Sequence, residues 1–563
     1  MPARLLQRAK EWSSCHRWFQ AALLALAFAA PLLILRSKSV TYDEVTHLPS
    51  GYSYLATGEI HLNPQHPPLM KELCAYPLLF LNLKNPIHWD TLKRPDLPQG
   101  FEWAFGREFL FSQDADRILF WGRVPAVLTS LCLAGLIMVW AGQLWGKAAG
   151  VLALALYVFD PTITAHAQLV TTDIGCAFFS TLFLFLLRRF LKNPCWTNLA
   201  LPGLSLGLAL GTKFSALILL PIAFLLIALN TWTKGRSLAT GPEATDARSK
   251  LLVVFRQFLS DFDDSSLFKR LRGAFLFAVL TVGLAYLVLW ALYFFPQDPL
   301  FYWQGMKTVY RDHAPNHEFY LMGELSKQGW WYFLFVAWLV KTPVATLLIL
   351  GAAVVLFICG KRRSWLEEAF VAVPAIIYFA AYSAGASNLG IRYLIPCFPF
   401  LFVFSARVAS WAAGRAAVAL LACLLWLGWE FASIWPDHLS YFNQLAGGPN
   451  HGTEWLDDSN VDWGQGLIQL REYLKRRPIG DYWFCYFGSA VPGYYGVQQK
   501  PIANEGLMKP QGMLILSAHC VARMRAVLRR QFGTSSENWM LHKVPQDIVG
   551  HAYYIYDFRP GSS

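Results

Sequence analysis

Charge is scarce in this sequence: Asp, Glu, Lys and Arg make up 15% of the 563 residues, against 55% hydrophobic ones. That balance excludes an ordinary soluble globular domain. No Cys-x-x-Cys pair occurs, so the ten cysteines offer no zinc-ribbon or dithiol pattern and read as small hydrophobes inside apolar runs. Only Cys485 and Cys520 share a segment expected outside the membrane, which leaves a disulfide between them open. Arg4, Arg8, Lys10 and Arg17 precede the first apolar run, yet no clean small-residue cleavage site follows. The run therefore reads as an uncleaved first helix instead of a signal peptide. Internal repeats, low-complexity tracts and heptad arrays are also lacking, which removes solenoids and coiled coils. The formal charge of +12 sits largely in short blocks between apolar runs. Membrane topology explains such blocks, and nucleic acid is not expected as a partner.

What is abundant is membrane-spanning sequence. At about 20 apolar residues per crossing, about eleven spans are predicted, at 18–36, 123–145, 148–161, 174–191, 197–212, 214–232, 273–294, 331–359, 366–383, 393–410 and 416–434. Lys147, Arg188, Arg189, Lys192, Lys361, Arg362, Arg363, Arg407 and Arg415, with the basic linker 233–272, mark one side as cytoplasmic. That linker includes an expected interfacial helix. The other side receives the first outer loop 37–122, the loop 295–330 and all of 436–563. Residues 1–435 thus form a transmembrane domain, with the N-terminus cytoplasmic. The remainder reads as a small extracytoplasmic α/β domain: helices in "GLIQLREYLKRR" and "VARMRAVLRRQF", strands in "DYWFCYFG", "GMLILSA" and "AYYIYDF". The fold class is an α-helical polytopic membrane protein carrying that domain.

Ionisable groups at membrane depth are costly and usually face a partner, cavity or substrate. Asp43 and Glu44 stand side by side just beyond the first span. On position alone they are a solvated loop start or an N-cap. The turn "NPQHPPLMKE" carries His66 and Lys71, with two prolines fixing its entry. Asp160 and Asp173 bracket a short turn, Lys213 sits at a helix junction, Lys341 lies in an apolar run, and Arg392 with Tyr393 follows "SNLG". Several of these reach the same outer leaflet boundary, which points to a cavity acidic on one wall and basic on another. Such a site suits transfer from a lipid-linked sugar phosphate: cations hold the phosphate, and a carboxylate takes the proton of an acceptor hydroxyl. Two clusters have plainer readings. Glu454, Asp457, Asp458 and Asp462 lack calcium-loop spacing and suit an acidic flank of the helix after Trp463 better than a cation site. His313 and His317 lack a third ligand and suit an outer lid.

"YDE", "HPPL" with Lys71, "LVTTD", "GLALGTKFSAL", "WLVKTP" and "LGIRYLIP", in that order over about residues 18–435, resemble the polyprenyl-phosphate-dependent glycosyltransferases of the GT-C superfamily. The likeness is to the branch of protein O-mannosyltransferases and bacterial aminoarabinose transferases. It implies that Asp43 is the catalytic base, with Glu44 as its partner or as a group that positions the acceptor, and that His66 lines the site. Lys213 and Arg392 then meet the donor phosphate. Lys71 and Tyr393 join the substrate-binding set, and Asp173 is structural or pocket-lining. The implied protein is an inverting transferase of cell-envelope glycosylation in a bacterial inner membrane. It passes a sugar from a polyprenyl-phosphate carrier to a lipid, glycan or protein acceptor. No cofactor is required, and a divalent metal is allowed but not predicted. The loop 295–330 is too short for the β-trefoil insert of eukaryotic protein mannosyltransferases, which weakens the case for a protein acceptor. A transporter or flippase for a lipid-linked sugar is the principal alternative, and a non-catalytic glycan sensor the other. Discontinuous helices and repeated halves would favour transport, and no pairing of halves is seen.

Overall fold

The computed structural model describes residues 2–560 apart from 95–96, 99, 235–260, 262–265, 313–316, 361–363, 386, 478, 499, 501 and 503. The interfacial helix expected in the linker, His313, and the block Lys361, Arg362 and Arg363 lie outside the described residues.

Among the described residues, eight helices are long and apolar enough to cross a bilayer: Arg17–Ser37, Ala115–Trp145, Asp173–Lys192, Phe214–Thr233, Leu267–Leu292, Trp365–Gly385, Ile391–Ser410 and Arg415–Ser433. The chain is a multi-pass membrane protein. Two more of the eleven expected segments form shorter apolar helices, Lys147–Val158 and Asn198–Leu210. The segment expected at 331–359 is a broken pair, Phe333–Lys341 and Val344–Cys359, bent by 111°. Pro343 sits at the break, where its missing N–H and fixed φ end the first helix. Lys341, the last residue before it, is buried and donates to the carbonyls of Leu439 and Asn460 at 2.7 and 2.6 Å.

Packing in the bundle follows residue size. Gly203, Gly207 and Gly211 recur at every fourth position of "GLSLGLALG". A Cβ on each would lie within 2.7 Å of Leu284, Val288 or Leu292, so only glycine lets helix Leu267–Leu292 approach this closely. At one end of the bundle Arg188 and Lys192 meet Glu367, and Arg407 meets Glu368. The first outer loop, including helices Glu44–Thr57, Leu69–Ala75 and Phe101–Phe111, lies at the other end.

A hairpin of β1 (Phe319–Leu321) and β2 (Glu324–Ser326) rises from the loop 295–330 and docks on the C-terminal unit. Tyr320 Oη donates to Thr453 O at 2.8 Å and the Met322 N–H to Trp455 O at 2.9 Å. The unit itself holds β3 (Tyr482–Cys485), β4 (Gly512–Ser517), β5 (Asp547–Val549) and β6 (Tyr553–Phe558) in the order β3-β4-β6-β5. Strands β3 and β4 run parallel and the other pairs antiparallel. Alternation of side chains separates the two faces. Met513, Ile515, Tyr553 and Ile555 share a core with helix Leu467–Arg476 and the first outer loop. Leu514, Leu516, Tyr554 and Tyr556 pack with helix Ala518–Phe532. The three strands and two helices expected here are found. The expectation did not include β5, whose three residues are too few to show an alternating pattern.

Cys485 at the end of β3 is bonded to Cys520 in the first turn of helix Ala518–Phe532. Replacing both by serine is expected to destabilise the unit by about 3–4 kcal/mol, from the freedom regained by the loop. A lower unfolding temperature and faster proteolysis of the unit would register it, and unchanged values would show that the bridge contributes nothing.

Candidate functional site

Asp43 holds the N-cap position of helix Glu44–Thr57, and its carbonyl accepts from the N–H groups of Thr46 and His47 at 3.1 and 3.0 Å. Its side chain makes no capping bond. Instead, Oδ2 accepts from Arg392 Nη1 at 2.7 Å. The Arg392 guanidinium lies 4.4 Å from the Trp463 ring centre and 5.5 Å from that of Tyr393, and its Nε has no protein partner among the described residues. Lys213 Nζ donates to Asp173 Oδ1 at 2.7 Å and stands 4.8 Å from the same Tyr393 ring. The second oxygen of Asp173 is buried without a partner among the described residues. One tyrosine ring therefore serves two cations from different helices, an arrangement that partly offsets their desolvation.

His66 lies edge-on to His47, with ring centres 5.5 Å apart. His47 Nδ1 is 3.2 Å from the Val170 carbonyl. Because a carbonyl only accepts, that nitrogen carries the proton. Burial pulls His47 down to about 4, and Lys71 adds to the effect. Burial also holds His66 well below the ordinary histidine range, followed by the positive charge of its neighbours. Both rings are neutral at pH 7, which leaves the positive charge of the cluster to lysine and arginine.

Two expected site residues have other tasks. Glu44 is fully buried, and its carboxylate is saturated. Arg123 donates to it through Nε at 2.8 Å and Nη2 at 2.6 Å. Thr41 N–H and Oγ1 donate at 2.9 and 2.8 Å, and Val170 N–H at 3.0 Å. The remaining Arg123 bonds run to the carbonyls of Leu35, Lys38 and Ser39. Glu44 is thus a clamp between the first outer loop and helix Ala115–Trp145, with no oxygen left for Asp43 or an acceptor. Lys71 likewise spends three donors on the turn it follows: Asn63 O and Oδ1 at 2.6 Å each and His66 O at 3.1 Å. Burial pulls its ammonium down to about 7, while Glu102, Glu72 and Asp43 oppose the shift. Lys71 shapes the turn that carries His66 and has no free donor for a substrate.

The acidic stretch after the last span contributes no residue to the first turn of the helix it was expected to flank. Helix Leu467–Arg476 begins after it, and no group of three His, Cys, Asp or Glu side chains among the described residues is arranged to hold a metal ion. "DDSNVDWGQG" is instead laced into the cluster. Asn460 Oδ1 accepts from Ile391 N–H at 2.9 Å, next to Arg392. Trp463 O accepts from Tyr42 N–H at 2.9 Å, next to Asp43, and Gln465 O accepts from Ser39 N–H at 3.0 Å. Burial pushes Asp457 up to about 8 in spite of Arg523 beside it, and Asp462 up to about 7. Arg123, Trp463 and Asn460 were not anticipated. The signal for Arg123 was present: an arginine at the head of an apolar run requires a buried partner. His317 packs edge-on against Phe319, beside the hairpin.

Asp43, Asp173, Lys213, Arg392 and Tyr393 come together in one polar cluster joined by ion pairs and ring contacts, and His66 lies within electrostatic reach of Lys213 and Arg392. A cavity of about 430 Å³ lies at the end of helix Arg415–Ser433, lined by Glu430, Tyr441, Phe442, Gln444 and His551 among others. An apolar groove of about 330 Å³ runs along helices Phe214–Thr233 and Leu267–Leu292. Neither is lined by the residues of the cluster.

Residues 115–241, which include Asp173 and Lys213, match the family described as dolichyl-phosphate-mannose-protein mannosyltransferase. No curated protein matches the sequence. Among solved structures, ArnT from Cupriavidus metallidurans bound to undecaprenyl phosphate is 13% identical, with 98% of this chain and 99% of that chain covered and a TM-score of 0.47. The archaeal oligosaccharyltransferase AglB from Archaeoglobus fulgidus, in complex with an inhibitory peptide and a dolichol-phosphate, is 12% identical over 89% and 69% of the two chains, with a TM-score of 0.42. The S. cerevisiae protein O-mannosyltransferase Pmt1-Pmt2 complex bound to the sugar donor is 15% identical over 54% and 38%, with a TM-score of 0.32.

The two neighbouring carboxylates should separate experimentally. Glu44→Gln leaves Arg123 buried without its counter-charge and is expected to cost about 3–5 kcal/mol, whereas Asp43→Asn, whose ion pair with Arg392 is partly exposed, should cost less. Thermal unfolding of the purified variants checks this, and equal losses would contradict the division of roles.

Proposed function

We propose that the protein is an inverting glycosyltransferase that moves a sugar from a polyprenyl-phosphate carrier to a hydroxyl or phosphate of a lipid, glycan or protein. The observation that carries this reading is the juxtaposition of an accessible carboxylate, Asp43, with two cations, Arg392 and Lys213, that share the Tyr393 ring. The family match over the helices bearing Asp173 and Lys213 supports it.

In this scheme the donor phosphate competes with Asp43 for Arg392 and is held by Arg392 and Lys213. Asp43, freed from the ion pair, accepts the proton of the attacking acceptor hydroxyl. The new bond forms at the anomeric carbon as the bond to the phosphate oxygen breaks, and the carrier phosphate departs with that electron pair. Single displacement inverts the anomeric centre. Because the leaving phosphate is a stable anion, no strong general acid is needed. His66, held in its turn by Lys71, lines the site as a neutral polar ring. A divalent ion is not needed where two fixed cations supply the charge, so activity should survive EDTA.

The disulfide Cys485–Cys520 suits an oxidising compartment. It supports placing the C-terminal unit and the cluster on the outer face of a bacterial inner membrane, with the N-terminus cytoplasmic. The transporter alternative gains no specific support from the geometry.

Asp43→Asn is expected to abolish transfer, by 10³-fold or more on the order of a lost base plus its electrostatic effect, while the folded protein is still recovered from membranes. Incorporation of radiolabelled sugar from a polyprenyl-phosphate donor measures this. Near wild-type transfer would remove Asp43 from the base role, and translocation without covalent product would establish a transporter.

A further inference from the structure

The C-terminal unit places one carboxylate that the scheme above leaves unused at the edge of the polar cluster, two residues before the Asn460 that is bonded to Ile391. Asp458 is 9% exposed and sits at φ +52°, a left-handed conformation that residues other than glycine, asparagine and aspartate rarely adopt. Three contacts hold it there. Its N–H donates to His519 Nδ1 at 3.1 Å, and its Oδ1 accepts from Ser459 N–H at 2.6 Å. The neighbouring Asn460 is bonded to Ile391, one residue before Arg392.

An amide N–H only donates, so Nδ1 of His519 is the bare nitrogen and the ring is neutral, with its proton on Nε2. The same nitrogen is 3.6 Å from Asp457 Oδ2, too far for a competing hydrogen bond. The His519 ring lies flat on Phe487 at 3.8 Å, and Phe487 stacks on Tyr42 at 5.5 Å, beside Asp43. The bridge Cys485–Cys520 ties together the strand end before Phe487 and the helix start after His519. The unit is therefore built to present Asp458 at a fixed place, within the electrostatic reach of Arg392, Asp43 and Tyr42.

That placement has a chemical consequence if the cluster binds a carrier phosphate, a reading on which this inference rests. A donor phosphodiester carries one negative charge. The carrier monophosphate left after transfer carries between about 1.5 and 2 near neutral pH. A bare pair of cations would hold the product more tightly than the donor. Carboxylates beside the arginine oppose this, and Asp43 alone cannot do so while it carries the acceptor proton. We propose that Asp458 is a second carboxylate of the Arg392 site, a positioning residue that tempers the arginine's hold on phosphate so that the carrier leaves after transfer.

The test uses the full-length protein in nanodiscs and undecaprenyl phosphate as the probe. Asp458→Asn keeps the shape and tolerates the left-handed backbone, so it removes charge alone. It is expected to bind undecaprenyl phosphate about tenfold more tightly than the wild type, as expected for one like charge removed near a binding anion. Undecaprenol, which lacks the phosphate, should bind both proteins equally. Unchanged or weaker binding of the phosphate, or an equal gain for undecaprenol, overturns the proposal. Arg392→Gln and Lys213→Met in the same assay should weaken phosphate binding at least tenfold. If they do not, the phosphate-site reading itself fails. If they do while Asp458→Asn gains nothing, only the role of Asp458 falls.

Discussion

A guanidinium cannot shed its charge, so an arginine at the edge of a membrane must be compensated where it stands. Arg392 is that residue here, and the arrangement around it follows from the constraint. Asp43 comes to it from the end of the first outer loop, the rings of Trp463 and Tyr393 cover it, and the loop at Asp458 is bonded to the residue before it. These groups come from the first outer loop, a late transmembrane segment and the C-terminal unit, and each requires the others in place before its own burial is tolerable.

Hydrogen-bond saturation separates the charges that build the protein from those with chemistry left to do. Glu44 with Arg123, and Lys71 with Asn63 and His66, have their bonding capacity filled by the protein. Arg392 keeps an unpartnered Nε and Asp173 an unpartnered oxygen, and the side chain of Asp43 is 20% exposed. A buried polar group without a partner is costly. Two such atoms in one cluster, on opposite signs of charge, are open to a polar ligand.

The sequence made the apolar segments and the residues of the cluster legible because both follow from one rule, that charge within or beside an apolar run needs a reason. Asp43, Lys213 and Arg392 stood out on that ground. What it did not reveal was pairing. Asp43 and Glu44 are adjacent, yet one is tied to Arg392 and the other to Arg123, and nothing local distinguishes them. A lysine after a His-Pro-Pro turn looks equally like a ligand and like the fastening of that turn. The run at 457–463 resembled a helix flank because its partners, Arg523, Ile391 and Tyr42, are far away in the chain. The broken helix at Lys341 was hidden by a hydropathy that continues through the bend.

The central claim is that base and phosphate grip occupy one site, with Arg392 exchanged between Asp43 and the carrier. An experimental structure of the protein with undecaprenyl phosphate tests it most directly. The account predicts phosphate oxygens within hydrogen-bonding distance of Arg392 and Lys213, with Asp43 parted from the arginine. Phosphate bound elsewhere, with the Asp43–Arg392 pair intact, would contradict it.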